Sequence, residues 1–385
     1  MPENKNILSS RLGILGGGQL GKMLCQAAGK WNLDTIVLDP SVECPAYSVC
    51  SRHIVGDFRQ YEDVAQMGAL ADIVTIEIEH VNVEALRYLE GKGIETRPSS
   101  GILEIIKDKG LQKKFYSDNG LPASSYIVCA DKDEILNLIN ENKIKIPFVQ
   151  KLCRDGYDGR GVCIIRDKDQ LENLLEGESI VEDLVDIKKE LSVIVAQNRH
   201  GEVRCFKPVE MVFNYEVNLV DYLISPADID MNISDRAEEL AVDTVKKFGL
   251  YGILAVEMFL DKNNNLLINE VAPRPHNSGH QTIESCITSQ YEQHLRALFD
   301  LPLGNPVIES PSVMLNILGE PGYKGEAVYL GLEECMRIDG VNIHIYGKKI
   351  TKPFRKMGHI TILDRNINKA LEKADIIREK FKVVS

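Results

Sequence analysis

The stretch from Ile253 to Glu270 leaves the chain few ways to fold. Apolar, partly β-branched residues run from Ile253 to Leu260, Asp261-Lys-Asn-Asn-Asn265 supplies turn residues, and Leu266-Leu-Ile268 resumes the apolar run. That pattern predicts a β-hairpin. A loop over Lys262–Asn265 sets Asp261 opposite Leu266, and counting back brings Glu257 opposite Glu270 and Met258 opposite Asn269. Opposed side chains in an antiparallel pair lie roughly 5 Å apart at Cβ, so two carboxylates there need a shared proton or a cation between them. A hard divalent ion with oxygen ligands answers that need, Mg²⁺ foremost and Mn²⁺ as a substitute, and Asn269 adds a neutral oxygen. Arg274, His276, Asn277, Ser278 and His280 follow, in a segment stiffened by Pro273 and Pro275 and turned at Gly279. A cation, an imidazole and neutral donors beside a metal pair make an anion and proton-transfer site.

At 385 residues the chain exceeds one ordinary core and points to two or three domains. Its net charge of −12 argues against a nucleic acid or an anionic membrane as partner. The nine cysteines are scattered from Cys25 to Cys335 without a CxxC pair, which is neither a disulfide framework nor a zinc site. Free thiols in a reducing cytoplasm are expected. The polar N-terminus lacks an apolar signal core, and no apolar run reaches membrane-spanning length, so a cytoplasmic enzyme with no membrane segment is expected.

Near the start, Arg11–Leu15 reads as a strand, followed by Gly16-Gly-Gly18-Gln-Leu-Gly21 and a helical pattern through Met23, Leu24 and Ala27. The strand Thr35–Asp39 then ends in an acid. This is the fingerprint of a phosphate-facing turn, and by itself it favours a dinucleotide-binding unit and an NAD(P)-dependent oxidoreductase. No substrate chemistry of a dehydrogenase follows it. A further strand from Asp72 ends in Glu77 and Glu79, carboxylates at the end of the sheet where ligands bind, with Glu77 favoured as the contact. One helix from Gly101 to about Asn119 carries Lys107, Lys109, Lys113 and Lys114, which as charges alone read as a solvated face. Lys151 precedes Gly156-Tyr157-Asp158-Gly159-Arg160-Gly161-Val162, a loop whose amides can face phosphate oxygens. Ser179–Val185 reads as a short buried strand, Arg236–Phe248 as an amphipathic helix, and the tail gathers cations at Lys348, Lys352, Arg355 and Lys356, which suggests a phosphate site.

These motifs, in this order from Arg11 to about Thr361, resemble one family of ATP-grasp ligases, the N5-carboxyaminoimidazole ribonucleotide synthetases. The most specific are Gly-Tyr-Asp-Gly-Arg-Gly and the run Asn269-Glu270-Val-Ala-Pro-Arg-Pro-His-Asn-Ser-Gly-His280. The resemblance implies an α/β protein. A Rossmann-like (pre-ATP-grasp) domain over 1–105 would precede an ATP-grasp domain over 106–300, with a lid at about 122–185, and a small α/β part over 301–385. It implies Lys113 and Lys151 on the ATP phosphates, 156–162 as the lid loop, and the backbone of Glu182, Asp183, Leu184 and Val185 on adenine. Glu190 would hold the ribose, and Asn214 would lie near the phosphates. Glu257, Glu270 and Asn269 would carry the metal. Gly18, Gln19, Leu20, Glu77, Tyr157, Arg160, His276, Lys348 and Arg355 would meet the ribonucleotide, with Arg274, His276 and Asp158 in the chemistry. Its substrates would be ATP, bicarbonate and aminoimidazole ribonucleotide, and its assembly a homodimer. Where the family usually has Pro-Gly-Arg-Lys this chain has Pro353-Phe-Arg-Lys356, and Asp155 replaces a common glycine. A formate-dependent glycinamide ribonucleotide transformylase shares the fold and the Asn-Glu metal end and remains the nearer rival.

Overall fold

The computed structural model describes residues 7–154, 161–214 and 219–385. The expected lid residues Gly156, Tyr157, Asp158, Gly159 and Arg160, with Asp155, lie outside them, as does the side chain of Asn214.

The N-terminal region is a five-stranded parallel sheet in the order Arg52–Val55, Asp34–Asp39, Arg11–Leu15, Ile73–Ile76, Glu95–Arg97. Its three central strands, Asp34–Asp39, Arg11–Leu15 and Ile73–Ile76, are mostly apolar and buried, as expected of a parallel sheet covered on both faces. The first strand pairs on both sides, so the chain order reverses beside it, and the crevice at that reversal opens past Leu15, Asp39 and Ile76.

The lid is a separate four-stranded antiparallel sheet, Tyr126–Cys129, Ser179–Asp183, Phe148–Leu152, Val162–Ile165, with its own core of Ile135, Phe148, Ile165 and Val181. Beyond it a nine-stranded antiparallel sheet begins with Leu266–Ala272 and Gly252–Asp261 and continues through Ile187–Gln197, which also pairs with the short Val203–Cys205, then Val209–Asn214 and Leu219–Ser225. The C-terminal strands Ser312–Leu318, Lys356–Leu363 and Val341–Ile345 extend the same sheet, through pairs such as Tyr222 with Leu315. The helix Met231–Phe248 starts five residues before the expected Arg236 and lays Ile233, Ala237, Ala241, Val245 and Phe248 on the sheet. These positions recur at helical spacing, and Gly249 (φ 61°) ends the run in the left-handed region.

Two expectations fail in ways that shape the site. The single helix from Gly101 to Asn119 is two, Ser100–Lys107 and Lys109–Asp118. Asp108 breaks it in extended geometry, and its carboxylate accepts the amides of Gly110 and Leu111 as the cap of the second helix. In the hairpin, Leu260 rather than Asp261 faces Leu266, because Asp261 closes the turn by accepting the amides of Asn263 and Asn265. Met258 therefore faces Ile268. An extra residue, Asn269, bulges out before Glu270, and the bulge restores the expected pairing of Glu257 with Glu270.

Candidate active site

Glu182 is the anchor of the lid-side cluster. Its side chain is 3% exposed, and it receives Lys113 Nζ at 2.5 Å and Lys151 Nζ at 2.6 Å, one on each oxygen. Ser124 Oγ donates to the same carboxylate at 2.9 Å and accepts from Lys113 at 3.0 Å. Burial pushes Glu182 up, but Lys151 and Lys113 outweigh it and hold the carboxyl at about 2. Burial also lowers Lys113, which Glu182 offsets only in part. Sequence reasoning gave this strand a backbone role and overlooked its side chain.

The bulge explains how consecutive residues can serve one site. Neighbours on a regular strand point to opposite faces. Here Asn269 Oδ1 accepts from Lys151 Nζ at 2.8 Å, while Glu270 Oε2 accepts from Lys109 Nζ at 2.6 Å. Lys109 was read as part of a solvated face. The cap at Asp108 starts a new helix at Lys109, and an Asp with Gly two residues later was the available signal. Lys109 holds Glu270 down, whereas burial, Glu270 and Glu190 push Glu257 up, so the two opposed carboxyls are driven in opposite directions. Glu190 shares that face and is pushed up to about 7 by burial, with Lys151 opposing. Among the described residues no three His, Cys, Asp or Glu side chains already surround a metal position. Two opposed carboxylates and an amide oxygen nevertheless fit Mg²⁺, which commonly takes one or two carboxylates and completes its shell with phosphate and water.

Next to this pair lies the Arg274–His276 loop. The backbone of His276 is clamped by one amide side chain: its N–H donates to Gln290 Oε1 at 2.8 Å, and Gln290 Nε2 donates to its carbonyl at 2.7 Å. Its Nδ1 accepts the Ser278 N–H at 3.3 Å and lies 2.8 Å from Ser278 Oγ, itself 2.7 Å from Ser192 Oγ. An accepting Nδ1 assigns the proton of the neutral ring to Nε2, which faces Glu257 Oε1 at 3.3 Å. Arg274 Nε lies 2.8 Å from Glu79 Oε1; burial opposes its charge, but Glu79, Glu77 and Glu257 outweigh it. His280, which the sequence groups with these residues, is fully buried and stacks on His359 with ring centres 4.5 Å apart. Tyr291 Oη lies 3.0 Å from its Nδ1, and burial pushes its pKa well below the ordinary imidazole range, so it stays neutral.

The glycine turn is filled from within. Glu77 accepts the amides of Gly18 at 2.8 Å and Gly21 at 2.9 Å, and Asp39 accepts those of Gly17 and Ser41, both at 2.8 Å. A dinucleotide's pyrophosphate would have to displace these carboxylates, so the oxidoreductase reading loses its phosphate site. Leu20 points into the apolar core at 5% exposure and can meet substrate only through its backbone; Gln19 opens the helix Gln19–Gly29. Lys348 Nζ donates to the Lys356 carbonyl at 2.7 Å, and Arg355 Nη1 to the Ile350 carbonyl at 2.5 Å. Between them Phe354 holds φ at 61°, where a glycine would be unstrained, so the Pro-Phe-Arg-Lys turn keeps a left-handed residue despite the side chain. In the lid, Gly161 (φ 76°) and Val162 lead back from the loop, Val162 opposite Lys151. Asp183 pairs with Phe148, and Leu184 and Val185 follow the strand end.

Residues 9–107 match the ribonucleotide synthetase preATP-grasp domain, 114–291 the ATP-grasp domain, and 312–373 the phosphoribosylaminoimidazole carboxylase C-terminal domain. The N5-carboxyaminoimidazole ribonucleotide synthase of Bacillus subtilis is 37% identical over 356 residues, 91% of each chain. The crystal structure of the Thermotoga maritima N5-carboxyaminoimidazole ribonucleotide synthetase superposes with a TM-score of 0.90 at 43% identity, covering 98% of this chain and 99% of that one. The Aspergillus clavatus synthase, solved with ADP and 5-aminoimidazole ribonucleotide, gives 0.87 at 32% identity over 96% and 98%. The chain spans 66% of the length of a plant phosphoribosylaminoimidazole carboxylase that it also matches. With the parallel sheet, the lid, the paired carboxylates and the C-terminal strands all in place, the chain belongs to the N5-carboxyaminoimidazole ribonucleotide synthetase family of ATP-grasp ligases.

Proposed function

We propose that the protein carboxylates 5-aminoimidazole ribonucleotide with ATP and bicarbonate, giving N5-carboxyaminoimidazole ribonucleotide, ADP and phosphate on the route to purines. The carrying observation is the array Lys109–Glu270, Lys151–Asn269 and Lys151–Glu182–Lys113, closed on one side by the Arg274–His276 loop. Lys113 and Lys151 pass from Glu182 to phosphate oxygens, and Lys109 adds a third cation beside Glu270. The backbone of 182–185 faces adenine, Glu190 the ribose hydroxyls, Asn214 the phosphates, and residues 156–162 cover them. Glu257, Glu270 and Asn269 would hold Mg²⁺, or Mn²⁺ in its place, which supplies charge neutralisation to the triphosphate.

A bicarbonate oxygen attacks the γ-phosphorus and ADP leaves with the bonding electrons, forming carboxyphosphate. This intermediate is short-lived in water, which a closed lid excludes. It breaks to CO₂ and phosphate, the amine nitrogen bonds the CO₂ carbon, and one amine proton departs. Arg274 holds the anionic fragments. His276 donates a hydrogen bond from its Nε2–H to the forming carboxylate, and the one amine proton released is taken up by Asp158, the competitor of His276 for that role. Gly18, Gln19 and Leu20 meet the ribonucleotide through their backbone, Glu77, Tyr157 and Arg160 line its ring and ribose, and Lys348 and Arg355 take its phosphate. A cytoplasmic homodimer completes the reading; among the described residues no helix is long and apolar enough to cross a membrane.

The test is ADP release from Mg²⁺–ATP and bicarbonate, with and without aminoimidazole ribonucleotide. Release that depends on the ribonucleotide is expected. Release that instead requires glycinamide ribonucleotide and formate would move the protein to the transformylases, and NAD(P)H binding without either would overturn the ligase.

A further inference from the structure

The proposed chemistry gives no role to Lys22, a cation near the ribonucleotide subsite. Lys22, in the first turn of the helix Gln19–Gly29, donates from Nζ to the carbonyls of Ile345 at 3.0 Å and Tyr346 at 3.2 Å. Burial lowers its pKa. The two carbonyls end the strand Val341–Ile345 and immediately precede Gly347 and Lys348. Gly347 holds φ at 87°, and a Cβ there would lie 3.6 Å from Lys22 Nζ, so the ammonium rests against the turn itself. A cavity of about 140 Å³, lined by Lys22, Gln26, His344 and Tyr346, lies along this joint. The Tyr346 ring packs on the helix beside this cavity, and the Lys22 hydrogen bonds add the directed part of the contact.

The strand end is also held by its own sheet, where the Tyr346 N–H bonds the Met357 carbonyl at 3.0 Å, by the buried Tyr346 ring packed in one core with Leu20, Met23 and Leu24, and by His344 Nε2, 2.6 Å from Glu284 Oε1. Lys22 ties that end to the helix whose first residues form the glycine turn. We propose that Lys22 is a positioning residue that sets the spacing between the Gly18-Gln19-Leu20 turn and Lys348, the two halves of the ribonucleotide subsite. It acts through the backbone of Ile345 and Tyr346, and the inference rests on the carboxylase reading above. A charged donor shared by two carbonyls fixes that spacing more firmly than a neutral one would.

The test compares Lys22→Met, Lys22→Gln and Lys22→Arg in the full chain. Lys22→Met should raise the KM for the ribonucleotide about tenfold or more, with kcat and the KM for ATP within about twofold, and Lys22→Arg should restore most of the loss. Lys22→Gln, which keeps one donor, should fall between and serves if Lys22→Met folds poorly. Hydrogen exchange at the Gly347 and Lys348 amides should quicken in Lys22→Met while that of Ile73–Ile76 stays unchanged. An unaltered ribonucleotide KM, or equal shifts for both substrates, would overturn the proposal. If the unsubstituted enzyme shows no ribonucleotide dependence, the carboxylase reading fails by itself, and unchanged exchange at Gly347 and Lys348 then rejects the joint independently.

Discussion

The two halves of the site satisfy their charges differently. On the lid side ions meet ions: Glu182 with Lys113 and Lys151, Glu270 with Lys109. On the ribonucleotide side, apart from the Arg274–Glu79 pair, ions meet backbone: Glu77 and Asp39 take amides of the glycine turn, and Lys22 and Lys348 take carbonyls. An ion pair can be exchanged for another ion of the same sign, so the lysines can pass from carboxylates to phosphates and the carboxylates from lysines to a metal. A carboxylate bound to amides at the head of a helix is part of the turn's own structure. The first half is arranged to be rearranged by its ligand, and the second to hold still.

The strongest way to break that contrast is Glu270→Gln. It removes the charge that pairs with Lys109 and is proposed to hold the metal, and ADP release should fall at least about a hundredfold with little loss of thermal stability. Next, Glu182→Ala strands two lysines in a buried place and should lower unfolding free energy by about 3–5 kcal/mol. Adding Lys113→Met to it should recover part of that loss in denaturant titrations; no recovery would mean that the clamp is not an exchangeable ion pair. Glu190, with a folded pKa of about 7 against an ordinary 4.5, binds its proton more tightly in the fold. Its penalty on stability is absent below about pH 4.5, grows as pH rises and is complete above about pH 7. Glu190→Gln should therefore stabilise by about 1–2 kcal/mol at pH 8 and by almost nothing at pH 4, measured by denaturation at both. The smallest effect belongs to the still half: Phe354→Gly should stabilise by at most about 1 kcal/mol, since relief of left-handed strain is partly offset by glycine's unfolded-state entropy.

What the sequence disclosed follows the same physics. Apolar periodicity and turn residues located the hairpin, the glycine turn and the long helix, because each depends on neighbours along the chain. The pairing of Glu257 with Glu270 was anticipated through two compensating errors, a turn entered one residue early and a bulge at Asn269. Counting residues cannot see a bulge, since hydrogen bonds to a partner strand decide it. Lys109 was hidden because Asp108 reads equally well as an exposed helix residue and as a cap. The side-chain role of Glu182 was hidden because its lysines lie 69 and 31 positions away, at Lys113 and Lys151. Leu20 shows the opposite failing, a motif residue whose side chain belongs to the core.

The shared nine-stranded sheet has a consequence for how the chain is made. The strand Leu219–Ser225 finds its outer partner, Ser312–Leu318, only after the intervening stretch has been synthesised and folded away. Until then a growing chain presents an unpaired strand edge, the kind of surface on which chains join one another. Assembly of the central sheet thus waits for the residues from Ser312 onward to be translated. A shortened chain ending near residue 300 would keep its ATP-side residues and still carry that open edge, making it prone to aggregate.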